Sequence, residues 1–184
     1  NPQRADSIED LTKVLNDEYN AIDGKEFFGK YNQLNKSEEE KAKIEEELFA
    51  DIKKLEPLIE KCKTLIDTPG YELNFVYPKT DLAKLRGLPM PNFLFLQNSI
   101  KGLILQTKWF SKQERFEEAF VNAEYIIRAS YTDHYSRLLS CFMGIGFYSW
   151  GVDSWFELVT KCDDINLLKK TFEKQKELKR DSPF

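Results

Sequence analysis

The sequence predicts an all-α fold, a bundle of antiparallel helical hairpins preceded by an N-terminal helical region. Apolar residues recur every three or four positions over most of the chain, which is the spacing of one helix face. Glycine and proline are sparse, at 8 and 7 residues, which disfavours a fold of many strands and turns. One segment alternates like a strand, but no second clear strand accompanies it to complete a sheet.

Length and composition indicate one globular unit with a substantial core. The chain has 184 residues, of which 41% are apolar and 14% aromatic, too rich in aromatic side chains for a disordered chain. We expect a charged N-terminal helical region over 1–70, an extended connector over 71–91, and a helical bundle over 92–184 that packs on the N-terminal helices.

The N-terminal region divides into two predicted helices. Residues 6–23 carry a helical stripe. The following residues 23–33 hold two glycines and are predicted to form a connector, with at most one helical turn around Phe27 and Phe28. Ser37 and Glu40 form a capping box at the start of the second helix. Pro57 must kink or restart that helix, because proline lacks the backbone N–H and clashes one turn back.

Residues 71–91 change character. Aromatic and apolar residues alternate with polar ones at the start of this segment, and three prolines and a glycine in the segment disfavour a long helix. We expect an ordered, extended connector whose aromatic side chains lie over the helical core.

Four helices are predicted after this connector. They cover 92–110, 111–130, 131–161 and 163–180. Ser111 and Glu114 form a capping box at the start of the second of these helices. The last one is amphipathic, with Ile165, Leu168 and Phe172 inward and many lysines outward.

The stretch "CFMGIGFYSWG" at 141–151 has three glycines and no charge. The uncharged run around it, 138–152, is 15 residues long, shorter than the roughly 20 residues needed to span a bilayer. We therefore predict a buried helix, in which Ser140 and Gly144 share a face that another helix approaches. Gly151 is predicted to mark a bend in this helix.

Residues 114–130 resemble the second helix of a tetratricopeptide repeat. The motif is an aromatic residue, two acids, an alanine and a large apolar residue, here Phe116, Glu117, Glu118, Ala119 and Phe120. Ala119 is small, so that the neighbouring helix can approach, and Phe116 fills the gap at the hairpin turn. The preceding helix, of similar length, completes a helix–turn–helix unit.

The stretch 93–159 is also similar to a family of uncharacterised bacterial helical proteins. In that family a charged helical region precedes a repeat-like bundle, often behind an N-terminal membrane anchor. The resemblance implies repeat-like hairpins and brings no catalytic residues. Thr107 stands where the repeat prefers glycine or alanine, Glu114 where a turn glycine is common, and Tyr131 where a proline closes the repeat. No second repeat follows at the period of about 34 residues that a true array needs.

The side chains that carry chemistry are few and scattered. Cys62, Cys141 and Cys162 form no CxxC pair and, with the single histidine, supply no structural zinc site. We expect reduced, structural thiols, with one disulfide as the alternative. His134 has a carboxylate beside it, as a general base would, yet it lies at the junction of two predicted helices, where polar residues cap and turn. No ExxH, GxSxG or P-loop motif occurs, so we predict no enzyme, no metal and no cofactor.

Charge excludes two further classes of partner. The net charge is −4 and acidic and basic residues are interspersed, whereas a nucleic-acid-binding protein usually has a basic face. A helix that lies on a membrane surface needs a polar face rich in lysine and arginine, but glutamate and lysine alternate here. We expect no nucleic acid partner and no membrane span within these residues.

Aromatic residues crowd the second half of the chain, and some are predicted to line a binding surface. The candidates are Trp109, Tyr131, Tyr135, Trp150 and Trp155. The first hypothesis is a non-enzymatic protein–protein interaction or scaffold module, because helical hairpins expose grooves that accept peptides. The alternative is a protein that binds a small molecule or lipid in an aromatic-lined pocket. An enzyme that uses acidic residues and His134 is the third and weakest reading.

The chain starts without methionine, which we read as a cut or processed form. Together with the family resemblance, this favours an extracytoplasmic bacterial location, anchored by a segment outside these residues. The partner and the oligomeric state do not follow from the sequence.

Overall fold

A computed structural model describes residues 17–34, 38–67, 93–130 and 138–180. Within these ranges every regular element is helical, as the sequence predicts. Residues 17–21 are helical and are followed by α1 (Gly24–Tyr31), α2 (Glu38–Ala50), a 3₁₀ helix (Ile52–Leu55), α3 (Glu56–Asp67), α4 (Phe93–Lys112), α5 (Phe116–Ala129), α6 (Leu138–Lys161) and α7 (Ile165–Arg180). The connector over 71–91, the Ser37 cap and His134 lie outside the described residues.

The predicted connector near residues 23–33 is wrong, because most of it forms helix α1. Phe27 and Phe28 are buried, and the ring of Phe28 stacks on Tyr19 with 5.9 Å between the centroids. The sequence predicts a break because two glycines fall in this stretch. Tertiary burial of two adjacent phenylalanines outweighs the helix propensity that the glycines lose.

The restart predicted at Pro57 is confirmed. Helix α2 ends at Ala50, one 3₁₀ turn follows, and α3 begins at Glu56 with Pro57 as its second residue. In the first turn of a helix the backbone N–H has no intrahelical acceptor, so proline loses nothing there. Leu58 and Ile59 follow directly and are fully buried.

Helices α4 and α5 form an antiparallel hairpin whose turn differs from the prediction. Ser111 does not cap α5, because it still belongs to α4, and Arg115 precedes α5 without a side-chain cap. Glu114 is left-handed, with φ 59°, and its N–H bonds to the carbonyl of Ser111 while the Arg115 N–H bonds to that of Phe110. These two bonds form a Schellman ending of α4, a position that glycine usually takes.

The interior of this hairpin carries a polar bridge among apolar neighbours. Asn122 donates from Nδ2 to Oε1 of Gln106 at 2.8 Å, and both side chains are buried. The hydroxyl of Thr107 donates to the Leu103 carbonyl at 2.8 Å, so this buried polar group is satisfied within its own helix. Ala119 is also fully buried, in a cluster with Phe120 and Trp155.

Helix α6 runs without a break from Leu138 to Lys161, so the predicted bend at Gly151 is wrong. A Cβ on Gly151 would lie 2.6 Å from Cγ1 and 2.8 Å from the backbone nitrogen of Ile127, and one on Gly144 would lie 3.1 Å from the carbonyl oxygen of Ser130. The two glycines are two helical turns apart and face α5 together. Gly151 therefore joins the face of Gly144 and lets α5 and α6 approach closely.

The main core joins helices from both halves of the chain. Its leucines and isoleucines come mainly from α3 and α4, and α5 and α6 close one side. The fully buried members include Leu55, Leu58, Ile59, Leu65, Ile100, Leu103, Leu105 and Ile126. A smaller cluster lies under α7, around Ala119, Phe120 and Trp155.

Helix α7 crosses α5 and α6 and buries little of its surface. Leu167 and Leu168 are half-buried, and Phe172 contacts Trp155. Ile165 is predicted inward, but it is 60% exposed.

The two glycines of α6 that face different surroundings give a matched test of the α5–α6 contact. We expect Gly151→Ala to lower the free energy of unfolding by about 1–3 kcal/mol, since the Cβ would overlap the Ile127 backbone. Gly146 has no heavy atom within 4 Å of a Cβ, so Gly146→Ala should raise it by up to about 1 kcal/mol through helix propensity. Urea unfolding followed by circular dichroism measures both. Equal stability of the two variants would contradict the close approach.

The left-handed residue in the α4–α5 turn gives a second test. Glu114→Gly should raise the free energy of unfolding by roughly 1 kcal/mol, because glycine adopts positive φ without strain. The neighbouring Gln113, which does not have positive φ, is the control, and Gln113→Gly should be neutral or destabilising. Thermal unfolding of both variants measures these changes in stability. A loss of stability on Glu114→Gly would contradict the left-handed conformation of residue 114.

Candidate functional site

The five aromatic residues predicted for a binding surface do not form one surface. Trp109 and Trp150 are half-buried and pack against the main core, and Trp155 is buried in the cluster under α7. Tyr131 and Tyr135 lie outside the described residues. Of the three described residues, Trp155 alone lines the groove described next.

An open, mostly apolar groove lies between α6 and α7. Its volume is about 390 Å³. Its lining residues are Ile127, Tyr148, Val152, Trp155, Phe156, Phe172, Gln175 and Lys176. Leu167, Leu168 and Phe172 hold the first part of α7 against the cluster that contains Trp155, and the groove opens beyond the Trp155–Phe172 contact, between Tyr148 and Val152 of α6 and Gln175 and Lys176 of α7.

The outer face of α6 continues the groove as an exposed apolar stripe, which we call the α6 stripe: Ile145, Tyr148, Val152 and Phe156. Their spacings of three, four and four residues place them on one side of the helix. Ile145 and Phe156 are 57% and 59% exposed, so α6 is not the fully buried helix that the sequence predicts. Phe172 of α7 adds a side chain that is 45% exposed at the edge of the groove.

Trp155 forms the floor of the groove and holds α7 in place. Its ring meets Phe172 edge-on with 4.7 Å between centroids, and it also contacts Phe156 at 5.6 Å and Phe120 at 6.2 Å. The indole N–H is buried, and no described residue accepts a hydrogen bond from it. A buried donor left without an acceptor costs about 1–3 kcal/mol, so Trp155 is placed by aromatic packing and not by its polar atom.

Two ion pairs secure the other side of α7 to α5. Lys170 lies 2.8 Å from Glu117 and Lys174 lies 2.6 Å from Glu124. The hydrogen bond with Glu117 raises the pKa of Lys170. Both lysines are exposed, so solvent screens these pairs and they stabilise the attachment of α7 only weakly.

Charges of opposite sign flank the groove. On α7, Lys176 lines the groove and pairs with Glu173 on its own helix. Lys169 is exposed two turns before Lys176, on the same face of α7. On the far side of the α6 stripe, Asp153 and Glu157 are exposed. Asp153 follows Val152 and Glu157 follows Phe156, so each carboxylate lies about 100° around the helix from a stripe residue. Trp155 precedes Phe156 and lies on the opposite side of the stripe, toward α7.

Polar groups elsewhere in the described chain serve to join helices. Asp67 accepts hydrogen bonds from Tyr125 and Arg128, both at 2.7 Å, and thereby ties the end of α3 to α5. Burial is the main cause that raises the pKa of Tyr125, and the nearby Asp67 raises it further.

Burial also raises the pKa of the Cys62 thiol to about 12, so this cysteine is a poor nucleophile at neutral pH.

Cys62 and Cys162 are free, buried thiols. No three His, Cys, Asp or Glu residues lie together in an arrangement for a metal ion within the described ranges. None of the helices described here has the length and apolar character needed to cross a membrane.

Comparisons with family models, with curated proteins and with solved structures find no match for this chain.

Most of the groove residues are absent from the sequence-based candidates. Tyr148 and Phe156 are among the aromatic residues that crowd the second half of the chain, but the sequence predicts that the helix that carries them is buried. One signal was present: α6 is apolar on more than one face, so one stripe can meet α5 while another is left over. Which stripe stays exposed depends on the neighbours of α6.

The attachment of α7 through Phe172 gives a third test. We expect Phe172→Ala to speed amide hydrogen exchange within α7 by roughly tenfold, because an aromatic pair contributes about 0.5–1.5 kcal/mol beyond burial. Exchange in α4 and α5 should be unchanged. Ile165→Ala, on the same helix but 60% exposed, is the control. A uniform change in all helices would contradict local attachment by this pair.

Proposed function

We propose that this protein is a non-enzymatic protein–protein interaction module that docks an apolar segment of a partner in the groove between α6 and α7. The observation that supports this is the continuous exposed apolar surface formed by the α6 stripe and Phe172. Contiguous apolar surface that is rimmed by charge is typical of binding sites in soluble proteins. We also propose that the α4–α5 hairpin is a tetratricopeptide-like unit, because the motif at the start of α5 resembles that repeat.

A groove between two helices suits a helical partner in particular. Helix-in-groove recognition uses apolar anchors at spacings of three and four residues, and the α6 stripe offers matching spacings. Such an interface would be small. It is expected to be transient because stable interfaces bury about 800 Å² on each partner.

The second candidate is a small-molecule or lipid-binding protein. The volume of about 390 Å³ falls in the range of about 300–1,000 Å³ that ligand pockets have. The groove is only partly enclosed, however, whereas ligand pockets enclose most of their ligand. Native mass spectrometry of the purified chain distinguishes the two candidates: a small molecule that co-purifies would favour the second.

The proposal predicts which surface residue partner capture depends on. Proteins retained by the tagged chain from a lysate of its source cells should be lost about tenfold or more with Phe156→Glu, because a carboxylate in the stripe disfavours apolar docking. Ile165→Glu is the matched control, since Ile165 is 60% exposed where Phe156 is 59% exposed. Quantitative mass spectrometry of the captured proteins gives the ratio. Retention of the same proteins by both variants would contradict docking at the groove.

A further inference from the structure

The groove has edges of opposite charge. The charged edges restrict the sequence of the partner more than the apolar floor of the groove does. The basic edge consists of Lys169 and Lys176 on α7, with the exposed Glu173 between them, and the acidic edge consists of Asp153 and Glu157 on α6. We propose that the partner is an amphipathic helix whose apolar stripe is bordered by acidic residues on one side and basic residues on the other. This inference rests on the proposed docking function.

The two edges lie on opposite sides of the α6 stripe. Tyr148 and Trp155 lie on the side of α6 that turns toward α7, where the basic edge is. Asp153 and Glu157 lie about 100° further around the helix than Val152 and Phe156, away from α7. A helix laid along the stripe would therefore have lysines beside one flank and carboxylates beside the other.

The length of the stripe also fits a helix. From Ile145 to Phe156 α6 rises by about 16 Å, at about 1.5 Å per residue. That length matches about three turns of a partner helix, enough for apolar anchors in each turn.

The charges on both edges are able to change partners. Lys176 pairs with Glu173 on its own helix at 2.6 Å, and Glu157 pairs with Lys161 at 2.6 Å. Both are exposed pairs three or four residues apart, and such pairs are weak and readily exchanged. Lys170 and Lys174, by contrast, already face acidic residues of α5 and do not belong to the edge.

A membrane surface is the less suitable occupant. Exposed aromatic side chains beside lysines would suit anionic lipid, but the acidic edge lies along the same stripe and would face the same headgroups. Anionic lipid attracts basic residues and gains nothing from carboxylates. A mixed-charge helix satisfies both edges at once.

Binding of designed peptides tests this inference on the full chain. Fluorescein-labelled amphipathic helices share one leucine stripe and differ only in their flanks, which are Glu and Lys, Glu and Glu, or Lys and Lys. At low salt, fluorescence anisotropy should show the Glu and Lys peptide binding roughly five- to tenfold more tightly than either other peptide. High salt should remove the difference, and Phe156→Glu should weaken all three peptides.

Charge-reversal variants make the test specific. Lys169→Glu with Lys176→Glu should transfer the preference to the Lys and Lys peptide, and Asp153→Lys with Glu157→Lys should transfer it to the Glu and Glu peptide. Lys53→Glu with Lys54→Glu, on the 3₁₀ helix, makes the same change in net charge as the first variant and should leave the order unchanged. Circular dichroism confirms that each variant is folded.

The outcomes separate this inference from the proposed function. Equal binding of the three peptides, all lost with Phe156→Glu, overturns the charged-edge inference and leaves apolar docking intact. Absence of binding by every peptide, together with lysate capture that does not depend on Phe156, overturns both. Binding to phosphatidylserine vesicles in place of the peptides, or a dimer in analytical ultracentrifugation that Phe156→Glu abolishes, assigns the groove to a membrane or a second copy and also overturns the inference.

Discussion

The close approach of α5 and α6 is the contact on which the rest of the C-terminal half depends. At Gly151 the two backbones come so near that a side chain would overlap the Ile127 nitrogen, and at Gly144 the carbonyl of Ser130 occupies the corresponding space. These two contacts, two turns apart, fix both the distance between α5 and α6 and the rotation of α6 about its own axis. With that rotation set, Phe147, Trp155 and Leu158 are buried, and the α6 stripe faces outward.

The position of α7 follows from the same rotation. Because Trp155 is brought to the junction of α5 and α6, Phe172 finds an aromatic partner there and anchors α7 edge-on. The remaining attachments of α7 include half-buried leucines near its start and exposed ion pairs with α5. A helix held mainly at one aromatic contact leaves the stripe of its neighbour uncovered, and this is the physical origin of the groove.

Local chemistry made several features predictable. The restart at Pro57 follows from a missing N–H, whatever the neighbours are. Burial of Ala119 is consistent with its place in the helical motif. By contrast, α1 forms across a glycine-containing stretch because Phe27 and Phe28 enter the core, and Ser111 fails as a cap because α4 continues past it. In each of these cases a long-range contact or the end of a neighbouring helix overrides a local preference.

The sequence by itself determined the helical class, most helix positions and the abundance of aromatic side chains, because periodicity, proline chemistry and composition act within a few residues. Only the tertiary structure decided which apolar side chains of α6 are covered. A helix that is apolar on several faces cannot bury all of them against α4, α5 and α7, and the glycine contacts with α5 select the buried face. The groove and its two charged edges are the consequence of that selection.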